Sequence, residues 1–181
     1  IALRGKTIGI LGTGKIGAAA ARIARGFGMR ILAMDAYEDS ALAAETGLTY
    51  VPLARRMAES DVVSLHLPST PATHHLLNAS VLAGAKKGMI LVNTARGAIV
   101  EPGALLAALE DGTLSMALLD VLEDERHPEA QRSLGAHPRV VVTPHVGFYA
   151  DDSMRAMYED CFSSIDQWRA GGVPAHAVAT R

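Results

Sequence analysis

A glycine-rich loop near the start of the chain has residue types and spacing that suit phosphate binding. The loop Gly12-Thr13-Gly14-Lys15-Ile16-Gly17 follows an apolar run and opens a stretch with helical pattern. Backbone N–H groups and the positive end of a helix dipole then face a pyrophosphate. Gly12 permits a tight turn, Gly14 a close approach of phosphate, and Gly17 contact between helix and strand. The loop therefore predicts a dinucleotide site.

Asp35 adds information about which nucleotide binds. It ends the second apolar run, eighteen residues after Gly17, where a carboxylate accepts hydrogen bonds from both hydroxyls of an adenosine ribose. Its charge repels a 2′-phosphate, and the next residues, Ala36 and Tyr37, supply no cation to bind one. We therefore expect NAD rather than NADP. S-adenosylmethionine is the alternative ligand, because its binding folds also use a glycine loop and an acidic residue after the second strand.

Short apolar runs alternate with helical patterns, as in a sheet of buried parallel strands. We predict strands at Thr7–Leu11, Arg30–Met34, Val62–Leu67, Met89–Asn93, Leu114–Leu119 and Val140–Thr143, with a weaker one near Leu48–Val51. The helices predicted between them are Lys15–Phe27, Ala41–Glu45, Leu53–Glu59, Ser80–Ala85 and Gly103–Glu110. Right-handed crossovers give an α/β doubly wound parallel sheet, the Rossmann fold, in three αβα layers. Its ligands lie at the carboxyl ends of the strands.

Three later strand ends also carry polar residues. They read Asn93-Thr94-Ala95-Arg96-Gly97, Asp120-Val121-Leu122-Glu123-Asp124-Glu125 and Thr143-Pro144-His145. With the glycine loop and Asp35, in this order, they resemble the coenzyme domain of the D-2-hydroxyacid dehydrogenases, from about Arg4 to Gly172. His66-Leu67-Pro68, with Thr70-Pro71 and Thr73 behind it, is similar to the loop beside the adenosine and ribose in that family.

The resemblance implies a catalytic set of Arg96, Glu125 and His145. Arg96 would bind the substrate carboxylate and the carbonyl oxygen on which negative charge builds. His145 would carry the proton while hydride moves between substrate and nicotinamide. Glu125 would orient the imidazole and favour its protonated form. Without the resemblance, the acidic run 123–125 does not single out one carboxylate.

Further cofactor-binding residues follow from the same resemblance: Leu67, Pro68, Thr73, Thr94 and Ala95, with Asp120 and Gly147 on the nicotinamide side. The remaining histidines have no ligand-like spacing with cysteine or carboxylate, so we expect structural or surface roles for them and no metal site. They are His66, His74, His75, His127, His137 and His176.

Composition excludes several classes of function. The chain has 181 residues, is 49% hydrophobic and carries a net charge of -2, which supports a buried core without a basic stripe for nucleic acid. It has no apolar run of about eighteen residues that would cross a membrane. The single cysteine, Cys161, cannot form an internal disulfide, which fits a reducing cytoplasm. We expect Cys161 to be a small core residue on a long helix.

We expect one NAD-binding domain over residues 1–172, with that terminal helix at 151–170 and a tail at 173–181. Because the chain opens on Ile1, not methionine, a segment upstream is expected. Family members also have a substrate lobe, which is absent here, and many have proline at the position of Arg126, before the compact stretch 129–137. We therefore expect NAD(H) binding with little turnover by this chain alone, since a cleft needs two walls to exclude water.

The expected reaction of the complete enzyme is hydride transfer between NAD(H) and a D-2-hydroxy acid/2-oxo acid pair. The aromatic pair Phe148-Tyr149, which follows Gly147, resembles the sequence of the D-lactate dehydrogenases more than that of the phosphoglycerate enzymes. The alternative is a dimeric, NAD(H)-sensing scaffold similar to the C-terminal-binding corepressors, which keep a similar triad. Formate dehydrogenases have glutamine where this chain has Glu125. A homodimer is expected, because some members dimerise through helices of this domain.

Overall fold

The computed structural model describes residues 2–125, 132–175 and 177. Arg126, His127 and His176 lie outside the described residues, as do residues 129–131 of the stretch 129–137. The described chain divides into two compact units, one ending at Pro144 and one beginning at His145.

The first unit is built on a seven-stranded parallel sheet. Its strands are β1 (Thr7–Leu11), β2 (Arg30–Met34), β3 (Thr49–Tyr50), β4 (Val62–Leu65), β5 (Met89–Asn93), β6 (Leu114–Leu119) and β7 (Val140–Val142). They lie in the order β3-β2-β1-β4-β5-β6-β7. The strand order reverses between β1 and β4, so ligands are expected beside the carboxyl ends of these two strands. The predicted Rossmann topology is confirmed.

Helices connect successive strands of this sheet. They are α1 (Lys15–Gly26), α2 (Ser40–Thr46), α3 (Leu53–Glu59), α4 (Ala79–Ala83), α5 (Pro102–Glu110) and α6 (Arg132–Gly135), with a short 3₁₀ turn at Gly97–Ile99. Side chains fix where two of them begin: Asp39 accepts from Leu42 N, and Asn78 accepts from Val81 N. The strand predicted over Val62–Leu67 ends at Leu65, and the 3₁₀ turn and α6 were not predicted.

Alternating residues of β1 divide the core between the two faces of the sheet. Ile10 packs with Ala21 and Ala24 of α1. Leu11 belongs to the larger cluster on the opposite side, which contains Met57 of α3. Both β1 side chains are fully buried, and burying a side chain of this size contributes about 1.5–3 kcal/mol. The sheet is thereby held in place below the loops at its carboxyl edge.

The second unit contains one long helix, α7 (Asp151–Arg169). Asp151 and Asp152 stand at its positive end and Arg169 at its negative end, as the helix dipole favours. The predicted helix over 151–170 is confirmed. The expectation for Cys161 is wrong, because this residue is exposed and no residue of α7 is buried. Among the described residues, no helix has the length and apolar character needed to span a membrane.

An arginine lies in the core with no counter-ion in the part of the chain that the structure describes. Arg56 of α3 is 0% exposed, and its Nη2 donates to Ala33 O at 3.2 Å and Val51 O at 2.5 Å. Its Nε and Nη1, and the nearby buried Ser60 Oγ, have no hydrogen-bond partner among the described residues. Burial lowers the pKa of the guanidinium to about 10. The folded state therefore disfavours the charge that Arg56 carries.

Replacing Arg56 with methionine is expected to stabilise the protein by about 1–3 kcal/mol, because an unpaired buried charge gives way to an apolar chain. Chemical denaturation near pH 7 measures the change. Arg55→Met is the matched control: Arg55 is an exposed neighbour paired with Glu59 at 2.6 Å, and its loss should change stability by less than about 1 kcal/mol. A destabilised Arg56→Met variant would show that the two carbonyl contacts outweigh the cost of burying the charge.

Candidate active site

The glycine loop is held together by contacts that leave no room for side chains. Gly12 has φ +94°, and a Cβ there would lie 2.7 Å from His66 O. A Cβ on Gly17 would overlap the carbonyl of Gly12. Gly14, by contrast, faces open space with no atom within 4 Å of an added Cβ. Gly12 and Gly17 are therefore required by the fold, whereas Gly14 keeps space open in front of the N-terminus of α1.

Asp35 lies directly after β2 and is tied to the same loop. Its Oδ2 accepts from Thr13 N at 2.6 Å and from Thr13 Oγ1 at 3.2 Å, and its Oδ1 accepts from Tyr37 N at 3.0 Å. Partial burial alone would raise the pKa of Asp35, but these hydrogen bonds outweigh burial and hold the pKa below its ordinary value. The carboxylate is thus ionised near pH 7.

A cleft of about 450 Å³ runs along the carboxyl ends of β1, β4 and β5. Its lining joins the start of α1 to the segment after β4 and to the loop after β5: Ile16, His66, Leu67, Pro68, Ser69, Thr94, Ala95 and Arg96. Five predicted cofactor residues and the predicted substrate arginine therefore share one cleft. Lys15, the residue after Gly14 and the first of α1, is also exposed.

The segment after β4 is shaped by its own polar groups. The Thr73 hydroxyl donates to Pro68 O at 2.6 Å and lies 2.9 Å from Thr70 N, which donates to it. His66 is half-buried with Nε2 3.0 Å from Ser64 Oγ, and burial lowers the pKa of its ring. His66 is neutral near pH 7 as a result, and it also lines the cleft.

Asn93, the last residue of β5, shapes the loop that carries Arg96. It is 1% exposed; its Oδ1 accepts from Ala95 N, and its Nδ2 donates to Arg96 O, both at 3.0 Å. Arg96 itself is exposed, with Nη1 2.6 Å from Ala95 O. Asn93 is part of the predicted motif 93–97, but the hydrogen bonds by which its side chain holds this loop were not predicted.

Gly97 brings that loop against the one after β6. A Cβ on Gly97 would overlap Leu122 and Glu123. In the second loop, Asp120 is buried and accepts a hydrogen bond from the Thr143 hydroxyl. The loops that carry Arg96 and Glu125 therefore pack directly on each other.

Glu125 is exposed, and its Oε1 accepts from Leu122 N at 3.3 Å. His145, the third predicted catalytic residue, opens the second unit in a left-handed conformation, φ +54°. Its ring stands edge-on to Phe148 with centroids 6.4 Å apart, and Gly147 between them is exposed. Arg96 and Glu125 thus lie in the first unit, and His145 lies in the second.

Two histidines expected to be structural or superficial contact Glu123. His75 Nε2 lies 2.7 Å and His74 Nε2 3.5 Å from Glu123 Oε1, and the two rings stack at 3.9 Å. The His75 backbone, at φ +47°, also donates to Ala98 O at 2.8 Å. The Nε2 atoms of both rings lie next to one carboxylate oxygen, which makes a compact polar contact. It ties the segment after β4 to the loops after β5 and β6.

Comparisons with known proteins agree with this geometry. Residues 1–147 match the family model "D-isomer specific 2-hydroxyacid dehydrogenase, NAD binding domain". The chain is 41% identical over 176 residues to a D-lactate dehydrogenase of Treponema pallidum, covering 91% of this chain and 52% of that protein. It is 40% identical over 174 residues to a glyoxylate reductase of Korarchaeum cryptofilum, covering 96% and 52%.

A solved structure has the same fold. The D-lactate dehydrogenase from Aquifex aeolicus, complexed with NAD and lactic acid, superposes with a TM-score of 0.85 at 34% identity, covering 92% of this chain and 54% of that one. The chain therefore spans about half the length of the curated relatives that it matches.

The glycines allow the cofactor contact to be separated from folding. Gly14→Ala is expected to keep stability within about 1 kcal/mol and to lower NAD affinity at least about tenfold, because its methyl group occupies the open space before α1. Gly17→Ala is expected to lose at least about 2 kcal/mol of stability through overlap with Gly12. Thermal unfolding and NADH fluorescence titration measure the two effects.

Gly26→Ala, at the far end of α1 where an added Cβ also meets nothing within 4 Å, is the matched control and should leave NAD affinity unchanged. Unchanged NAD affinity in Gly14→Ala would place the pyrophosphate elsewhere.

Proposed function

The chain belongs to the D-isomer specific 2-hydroxyacid dehydrogenase family, of which it is the NAD-binding domain, and we propose that its parent enzyme reduces a 2-oxo acid to a D-2-hydroxy acid, and the reverse, with NAD(H). The observation that carries this proposal is the cleft shared by the α1 N-terminus and Arg96. It offers an anion site for a pyrophosphate and a cation for a substrate carboxylate within one continuous space.

The residues of the glycine loop and the end of β2 fit NAD. Gly14 leaves space before backbone N–H groups, and Asp35 supplies an ionised acceptor for a ribose. Bound NADH supplies the hydride that reduces the carbonyl carbon. The exposed side chains of Lys15 and Ile16 are proposed to lie against the nucleotide, as are Thr94 and Ala95 in the loop after β5.

The protein side of the reaction is assigned to Arg96, His145 and Glu125. Arg96 holds the substrate carboxylate and stabilises negative charge on the carbonyl oxygen. His145 donates a proton from its ring to that oxygen during reduction and takes it back during oxidation. Glu125 orients the imidazole, as a carboxylate partner does in comparable acid–base pairs. Asp120 and Gly147 are proposed to contact the nicotinamide side.

D-lactate/pyruvate is the substrate pair that we propose first. Relatives named for D-lactate and for glyoxylate both match this chain at about 40% identity, and the pair Phe148-Tyr149 after Gly147 favours the D-lactate side. We also propose that the parent enzyme is a homodimer and that it works in the cytoplasm, where the free thiol of Cys161 stays reduced.

Replacing Asp35 with asparagine is expected to weaken NAD binding about 10–100-fold, the range for loss of hydrogen bonds to a charged group. NADP affinity should stay equal or rise, because the repulsion of its 2′-phosphate is removed. Since hydrogen bonds hold the pKa of Asp35 below its ordinary value, the carboxylate stays ionised at that ordinary value, and wild-type affinity should fall only at lower pH. Isothermal titration with both nucleotides tests this. Asp111→Asn, an exposed site at the end of α5, is the control.

In the full-length parent, Arg96→Lys is expected to lower kcat/KM for pyruvate about 10–100-fold with NAD affinity unchanged, because lysine lacks the bidentate fork. Steady-state kinetics on pyruvate and glyoxylate measure the loss, and Arg55→Lys on exposed α3 surface is the control. A parent that binds NAD(H) but turns over neither acid would favour the corepressor-like scaffold. Robust turnover by these 181 residues alone would contradict the need for a substrate lobe.

A further inference from the structure

Tyr50 connects two loops of the cofactor site from β3, the edge strand of the sheet. Its hydroxyl accepts a hydrogen bond from the backbone N–H of Asp39 at 2.9 Å and lies 3.0 Å from Thr13 Oγ1. Thr13 is 8% exposed and makes two hydrogen bonds to Asp35. Tyr50 therefore contacts the residue that holds the proposed ribose acceptor.

The chemistry of the groups at each end sets the direction of every bond. An ionised carboxylate only accepts, so the single hydroxyl proton of Thr13 goes to Asp35 Oδ2. The Thr13 oxygen then accepts the hydroxyl proton of Tyr50, whose own oxygen accepts from Asp39 N. The result is a one-way chain of donors that ends on Asp35, in which each bond polarises the next.

This chain distinguishes the two oxygens of Asp35. Both Thr13 hydrogen bonds fall on Oδ2, and Tyr37 N donates to Oδ1. These bonds hold the carboxylate in one orientation, with Oδ2 against Thr13. The carboxylate cannot rotate without breaking the Thr13 contacts.

We propose that Tyr50 is a positioning residue for nucleotide selectivity: through Thr13 it fixes the Asp35 carboxylate in the orientation that reads the ribose of NAD. Discrimination against NADP depends on a negative charge that stays in place, because neither Ala36 nor Tyr37 carries a cation to accept the 2′-phosphate. A carboxylate able to turn away repels that phosphate less. This inference rests on the proposed role of Asp35 in reading the ribose.

Tyr50→Phe removes the hydroxyl and keeps the ring, which packs against the core cluster of α1 and β2. We expect the Kd of this chain for NAD to rise about 3–10-fold, the effect of losing one hydrogen-bonded contact. The Kd for NADP should stay equal or fall. The ratio of the two, measured by isothermal titration, is independent of the folded fraction, so a purely structural role would not change it.

Thr13→Val removes the next hydroxyl and should lower the selectivity ratio in the same way. Because both hydroxyls act in one chain, the double variant should be no less selective than Thr13→Val alone. Tyr158→Phe, on the exposed surface of α7, is the control for the tyrosine change. If Tyr50→Phe does not fold, an unchanged ratio in Thr13→Val still overturns the proposal.

An unchanged NAD/NADP ratio in Tyr50→Phe, or in Thr13→Val, overturns the proposal. Asp35→Asn separates this failure from a failure of the proposed function. If Asp35→Asn lowers the ratio and Tyr50→Phe does not, Asp35 reads the ribose without help from Tyr50. If neither variant changes the ratio, the assignment of Asp35 is also wrong.

Discussion

Contacts between backbones at positions without side chains organise the carboxyl edge of the sheet. Gly12 turns the chain against the carbonyl of His66, and Gly17 lets α1 start against Gly12. Gly97 repeats the arrangement on the other side, where the loop after β5 meets Leu122. A single methyl group at any of these three positions would separate the loops. The cleft depends on these contacts, because they bring three strand ends within reach of one bound molecule.

Charge is distributed along the cleft in a way that suits a dinucleotide and an acid. The negative carboxylate of Asp35 is bound to the glycine loop, the start of α1 contributes Ile16 to the cleft lining, and Arg96 lines the same cleft. The carboxylate can accept hydrogen bonds from ribose hydroxyls. The helix N-terminus and the guanidinium are positive and attract the proposed pyrophosphate and substrate carboxylate. Arg56 contrasts with this pattern, since its guanidinium is buried with only backbone carbonyls as partners among the described residues and is not part of the cleft lining.

The sequence predicted the parts of this structure that depend on local pattern. Apolar runs gave the bounds of β1, β2, β5 and β6 without error, and the glycine spacing predicted the turn before α1. Contacts between residues far apart in the chain were not predictable in this way. Glu123 and His75 are 48 residues apart, and Tyr50 reaches Thr13 across 37. Cys161 was misassigned because helical periodicity shows which side of α7 is apolar, but not whether anything covers it.

The tie between His75 and Glu123 affects when the loops of the cleft become ordered. When a ligand must immobilise a flexible loop, the conformational entropy that the loop loses weakens binding. Here the loop after β6 is attached to the segment after β4 in the protein alone, although His75 adopts a left-handed conformation that ordinarily costs about 1–3 kcal/mol. The His75–Glu123 contact restrains the 120–125 loop before a nucleotide binds, so less of the binding energy is spent on ordering it.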